Sequence, residues 1–213
     1  MKDYQTLLRE GEACYEIQRS RFLAHAKPAA TEAEAHEFVQ QMKKKYFDAR
    51  HNSSAWVLGT SGSQQKSNDD GEPGGTAGNP ILEAIKKNGL TDTVIVVTRY
   101  FGGIKLGAGG LIRAYSHTAT LGIEAAGIQC MSVFCRTAVT ISYPLLGSLE
   151  NELRRQAVPI ADKSYGAAVT LTLLLPRTSA AAIRAGLIEL TAGRCQLDDL
   201  GEEYHGLPMA EPK

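Results

Sequence analysis

Two glycine-rich segments constrain this chain more than anything else in it. One is Asp69-Asp70-Gly71-Glu72-Pro73-Gly74-Gly75-Thr76-Ala77-Gly78. The other is Gly102-Gly103-Ile104-Lys105-Leu106-Gly107-Ala108-Gly109-Gly110. Glycine weakens helix and strand interiors, so such density beside charge marks turns that need positive φ or a close backbone approach. Between the two lies Thr93-Val94-Ile95-Val96-Val97-Thr98, a nearly continuous β-branched run that reads as a central strand buried on both faces. Asn79-Pro80 opens a helix before it, with Gly89 past its end. A helix from about Ala108 to Ala126 follows, with Leu111, Tyr115, Ala119, Gly122 and Ala126 on one narrow face.

Around this frame the rest of the chain reads as α+β. Residues 12–27 form two short strands around a polar Gln18-Arg19-Ser20 break. Thr31-Glu32-Ala33-Glu34 has the capping-box form, and Ala35, Phe38, Val39, Met42 and Tyr46 fall on one face of the helix it starts. Ala55 to Gly59 is a strand holding the sole tryptophan, Trp56. Residues 60–78 carry no apolar period and read as a long loop. From Cys135 the order becomes βαββαβ, the split-βαβ ferredoxin-like pattern. Its elements are a strand at 135–143, a helix opened by Pro144, a strand pair around Tyr165-Gly166, a helix from Ser179 to Ala192, and a strand from Gln196 to Glu203. Two domains are expected, 1–132 and 135–205, with a frayed tail after Tyr204.

The chain has 213 residues and a formal net charge of zero. Residues 1–134 hold 15 basic and 14 acidic groups, and residues 135–213 hold 8 and 9, so neither half is a polycation. That excludes a globally basic nucleic-acid glue but not a local basic face. No apolar run reaches the ~18 residues of a spanning helix. The start lacks the apolar core of a signal peptide, and Cys14, Cys130, Cys135 and Cys195 form no Cys-x-x-Cys pair. A reduced, cytoplasmic protein with no membrane partner is expected.

The second glycine segment resembles a phosphate cradle. It follows a strand ending at Arg99 and feeds a helix start near Gly107, Gly109 and Gly110, with Lys105 and Arg113 beside it. Free backbone amides at a helix start suit an anion. Neither the P-loop nor the dinucleotide fingerprint fits, so no nucleotide cofactor is expected. The competing reading is that the glycines only serve a tight turn and close helix–sheet packing. In the first segment Asp69, Asp70 and Glu72 suggest a hard cation. Two other roles compete: pairing with Arg99 to tether the loops, or capping the helix near Asn79. Histidine and serine spacings match no catalytic motif, so no catalytic residue is assigned.

Asp-Asp-Gly-Glu-Pro-x-Gly-Thr-Ala-Gly at 69–78 and Val-Val-Thr-Arg-Tyr-Phe-Gly-Gly-Ile-Lys-Leu-Gly-x-Gly-Gly-Leu at 96–111 resemble the motifs of the IMPACT family, in particular its bacterial, YigZ-like branch. Asp48-Ala49-Arg50-His51-Asn52 fits the family's short histidine motif, although Ser53 stands where many relatives have cysteine. Ser142-Tyr143-Pro144-Leu145-Leu146-Gly147 is similar to the appended domain of bacterial members. The resemblance implies an N-terminal domain like the second domain of ribosomal protein S-five and a C-terminal domain like domain V of elongation factor G. It implies a role in translational control and stress response, exerted by contact rather than chemistry.

The expected function is therefore a non-enzymatic regulator that binds RNA or the ribosome. Arg99, Lys105, Arg113 and Arg50, with the amides of Gly107, Gly109 and Gly110, are its expected anion contacts. The alternatives are a module that binds a translation-related protein and a metal-assisted hydrolase using Asp69, Asp70 and Glu72.

Overall fold

A computed structural model describes residues 2–208. The chain divides into two compact units, residues 2–131 with 206–208, and residues 132–205.

The first unit is built on a five-stranded antiparallel sheet ordered β2-β3-β6-β4-β5. Its strands are β2 (Gly11–Ile17), β3 (Ser20–Pro28), β4 (His51–Leu58), β5 (Gln64–Asn68) and β6 (Thr93–Tyr100). A short first strand, β1 (Tyr4–Leu7), pairs with residues 128–131 instead. The β-branched run is central, as its composition predicts, and its alternation serves two cores. Ile95 and Val97 join Phe22, Ile81, Tyr115 and Ile123 beneath helices α2 (Gly78–Lys87) and α3 (Gly107–Ala126). Val94 and Val96 join Phe38, Val39, Trp56 and Leu58 beneath α1 (Glu32–Lys45). Helices thus cover both faces of an antiparallel sheet, which is why β6 lacks the polar alternation of a one-sided strand.

Close approach explains the small residues of α3. A Cβ on Gly122 would sit 2.9 Å from the Ala24 methyl of β3, tighter than carbon atoms tolerate. The β2–β3 connection places Gln18 and Arg19 at φ 46° and 62°, the left-handed pair of a tight hairpin turn.

The capping box is present in a shifted form, its glutamate reaching one residue past the cap. Thr31 Oγ1 accepts from Glu34 N at 3.2 Å, and Glu34 Oε2 accepts from Ala30 N at 2.8 Å. Thr31→Ala is expected to cost about 1 kcal/mol, read as a lower urea midpoint. An unchanged midpoint would show that packing of Phe38 and Val39 alone sets the start of α1.

Residues 60–78 are not one loop. Gln64–Asn68 pairs with β4 from Ser54↔Asn68 to Leu58↔Gln64 as an exposed edge strand. Both of its faces are largely wet, so it carries no apolar period to betray it.

The second unit has the order β7-α4-β8-β9-α5-β10, with residues 128–131 of β7 and 206–208 of β10 counted in the first unit, and this order bears out the βαββαβ reading. The elements are β7 (Ile128–Ile141), α4 (Leu146–Arg155), β8 (Ile160–Tyr165), β9 (Val169–Pro176), α5 (Ala180–Leu190) and β10 (Gln196–Pro208). The sheet order β10-β7-β9-β8 is the ferredoxin-like one. Its core joins Val139, Ile141, Leu171 and Leu173 to Leu149, Leu153 and Leu187 of the helices. Pro144 opens a 3₁₀ turn, Tyr143–Leu145, that leads into α4. The frayed tail expected after Tyr204 is corrected as far as Pro208, because β10 runs on to that residue. Residues 209–213 lie outside the described chain.

Candidate functional site

The first glycine segment is held by its own carboxylates, each facing a different partner. Asp69 Oδ2 accepts from Gly75 N at 2.8 Å, and its Oδ1 accepts from Ala77 N at 3.0 Å and Gly78 N at 2.8 Å. Ala77, the N-cap residue of α2, has no capping side chain of its own, so Asp69 supplies the cap from a distance. Asp70 Oδ2 accepts from Asn52 N at 2.7 Å, and its Oδ1 takes Lys43 Nζ at 2.5 Å. Its carbonyl oxygen lies 2.9 Å from His51 Nδ1. Gly78 must be glycine, since a Cβ there would lie 2.6 Å from Asn68 N.

Glu72 turns inward. Its Oε1 accepts from Arg99 Nη1 at 2.7 Å and from Tyr115 Oη at 2.8 Å. Arg99 and Glu72 are each only 7% exposed, so this is a buried pair. The guanidinium also sits 5.6 Å from the Phe22 ring and 5.5 Å from the Phe101 ring. Burial, and the Glu72 carboxylate beside it, push the Tyr115 phenol well above its ordinary pKa, which keeps it a donor. One carboxylate therefore joins the first glycine segment, β6 and α3. The tether reading of Glu72 matches this geometry, and the capping reading matches Asp69. Among the described residues, no group of three or more His, Cys, Asp or Glu side chains is arranged to hold a metal ion.

Arg99 as a phosphate contact is corrected by its burial. It extends β6 on the same parity as Ile95 and Val97, so its side chain enters the core beneath α3 and is consumed by Glu72.

The second glycine segment is different. Gly102 packs on the backbone of Arg19 and Ser20 so closely that any Cβ would collide with Arg19, and its N–H donates to Ser20 Oγ at 3.2 Å. Gly103 and Gly107 have φ of 86° and 68°. Helix α3 then starts with no side-chain cap, and Gly107, Ala108 and Gly109 are exposed, with Gly110 half-buried. Arg113 folds back over this start, its Nη1 lying 3.7 Å from where a Cβ on Gly109 would sit. Lys105 and Arg113 are exposed and make no ion pair among the described residues. The structure thus brings Gly107, Gly109, Gly110 and Arg113 together, with Lys105 just before them in the chain.

Arg50 is exposed one residue before His51, whose register partner is Arg99, so it stands at the same end of the sheet. Arg19 escapes sequence reasoning. It is exposed in the hairpin turn against Gly102, and only the turn signal of Gln18-Arg19-Ser20 hints at it.

Comparison with known proteins matches both halves of the chain to family models. Residues 18–123 match the model of the Impact N-terminal domain, and residues 139–194 match a domain of unknown function, DUF1949. The chain is 41% identical over 199 residues to IMPACT family member YvyE of Bacillus subtilis strain 168, covering 93% of this chain and 92% of the relative. The chain belongs to the IMPACT family. Family member YigZ of Escherichia coli K12 is 33% identical over 184 residues, covering 85% of this chain and 90% of that one. A crystal structure described as a hypothetical protein covers 100% of both chains, with 30% identity and a TM-score of 0.61. Both glycine segments of this IMPACT family chain lie within the Impact N-terminal match. Among the described residues, no helix is long and apolar enough to cross a membrane.

Proposed function

We propose that this IMPACT family chain is a non-enzymatic, translation-associated regulator that binds RNA, free or within the ribosome. The contact surface is the second glycine segment: Lys105, Arg113 and the open amides at the start of α3, with Arg50 extending it. The observation that carries this reading is the contrast between the two segments. The first has its carboxylates taken up within the protein, by its own amides, Lys43 and Arg99. The second leaves an uncapped helix start exposed beside two cations that make no ion pair among the described residues. A helix start with free N–H groups and flanking cations suits a phosphate oxygen. Zero net charge confines the attraction to this local face.

Affinity for a labelled RNA, measured by fluorescence anisotropy at two salt concentrations, tests the reading. Binding should fall steeply with salt, and Lys105→Ala/Arg113→Ala should lower the log–log slope by about two, one for each phosphate that is no longer neutralised. Both substitutions fall on exposed residues and leave the core intact. Equal slopes and affinities for the two proteins would overturn the reading.

A second reading rests on Phe101 and Ile104, which are 52% and 43% exposed in the same segment. Exposed apolar groups beside cations also suit a protein partner of the translation machinery. A partner retained after nuclease treatment and released by Ile104→Asp would favour that reading over RNA.

A further inference from the structure

Beside the start of α3 lies a groove of about 350 Å³ between the β2–β3 hairpin and α3. Tyr15 and His117 form an edge-to-face ring pair in it, with centroids 4.7 Å apart and planes at 79°. Ile17 and Leu106 supply apolar lining, Gln18 a side-chain amide, and Arg113 the only charge. Three other surface grooves in the molecule each carry a carboxylate: Glu150 in one, Glu34 and Glu37 in another, Glu12 in the third. This groove has none, so its field favours an anion, and its rings favour a flat partner.

We infer that this groove takes one unstacked base of an RNA strand, with Arg113 holding the adjoining phosphate. The inference rests on the RNA reading above and adds what part of the RNA is recognised. Three physical points carry it. Tyr15 packs against the core, but His117 is exposed, and the edge-to-face contact takes up at most one face of its ring, so a third ring can still stack there. Unpaired bases are recognised by stacking on aromatic and imidazole rings, whereas bases inside a duplex are not offered to such a groove. A groove of this order has room for a single base. The amide of Gln18 adds a donor and an acceptor for a base edge.

The experiment compares a single-stranded octamer with the duplex of the same sequence, on wild type, His117→Ala and His117→Phe. His117 is exposed on α3, so neither change opens the core. The single strand should bind more tightly than the duplex. His117→Ala should weaken single-strand binding about tenfold with the salt slope unchanged, and His117→Phe should restore it. In parallel, adenosine and uridine monophosphates should shift the ring resonances of Tyr15 and His117, and inorganic phosphate should not. Unchanged affinity in His117→Ala, or ring resonances that no mononucleotide moves, would overturn the inference. If RNA binds and the Lys105/Arg113 slope falls while His117→Ala is silent, the groove fails and the RNA reading stands. If mononucleotides move the rings but no RNA strand binds, the RNA reading and this inference both fall, and the groove is a site for a free nucleotide.

Discussion

Replacing Glu72 by alanine is expected to destabilise the first unit by about 3–5 kcal/mol, the cost of leaving a buried charge without its partner. The substitution strands the Arg99 guanidinium, 7% exposed, and also removes the acceptor of Tyr115. The measurement is direct, because Trp56 is the sole tryptophan and is buried in β4 of this unit. Its fluorescence through a urea titration reports that unit by itself. The double variant Glu72→Leu/Arg99→Met, which replaces both ions by apolar groups, should recover most of the stability. A change under about 1 kcal/mol in Glu72→Ala would mean the pair is solvated and that the two glycine segments are held together by something else.

Asp69→Ala is the second large effect, expected at about 2–4 kcal/mol, since three backbone amides are deprived of one ionised acceptor. Helix α2 would then start with no cap, and the turn from Gly75 to Gly78 would have no anchor. The effect should depend on pH. Burial works to raise the Asp69 pKa, but the amides of Gly75, Gly78 and Ala77 together outweigh it and hold the carboxyl below its ordinary value. A carboxyl with a lower pKa in the folded chain adds stability above its unfolded value. That stability is lost as pH falls through the folded value. The midpoints of wild type and Asp69→Asn should therefore converge below a pH of about 4. A gap that persists unchanged into strong acid would show that the bonds do not depend on the ionised form.

Much of the architecture can be read from the chain because its elements obey one period each. The β6 run, the capping box of α1 and the small-residue stripe of α3 each signal one structure. Strand β5 escapes because its residues are nearly all exposed, so no alternation separates it from a loop. Strand β1 is four residues long, too short for a period to register. At the first glycine segment, composition draws attention to Glu72 and Arg99 but not to the directions their side chains take. Glu72 and Arg99 are both conspicuous, yet composition leaves tether and phosphate contact equally open. Strand parity holds the answer, since Arg99 follows Ile95 and Val97 on the face that enters the core. Tyr115 falls on the buried stripe, but its hydroxyl partner lies 43 positions earlier in the chain, beyond any local pattern.

Strand β6 supplies alternate side chains to two separate hydrophobic layers. Neither layer can melt while the other survives, because each would have to release the same backbone. The amide protons of Ile95, Val96 and Val97 should therefore exchange with solvent only when the whole sheet opens. Their protection then measures the global unfolding free energy of this half of the molecule, and a ligand gripping the start of α3 should slow all three by one common factor.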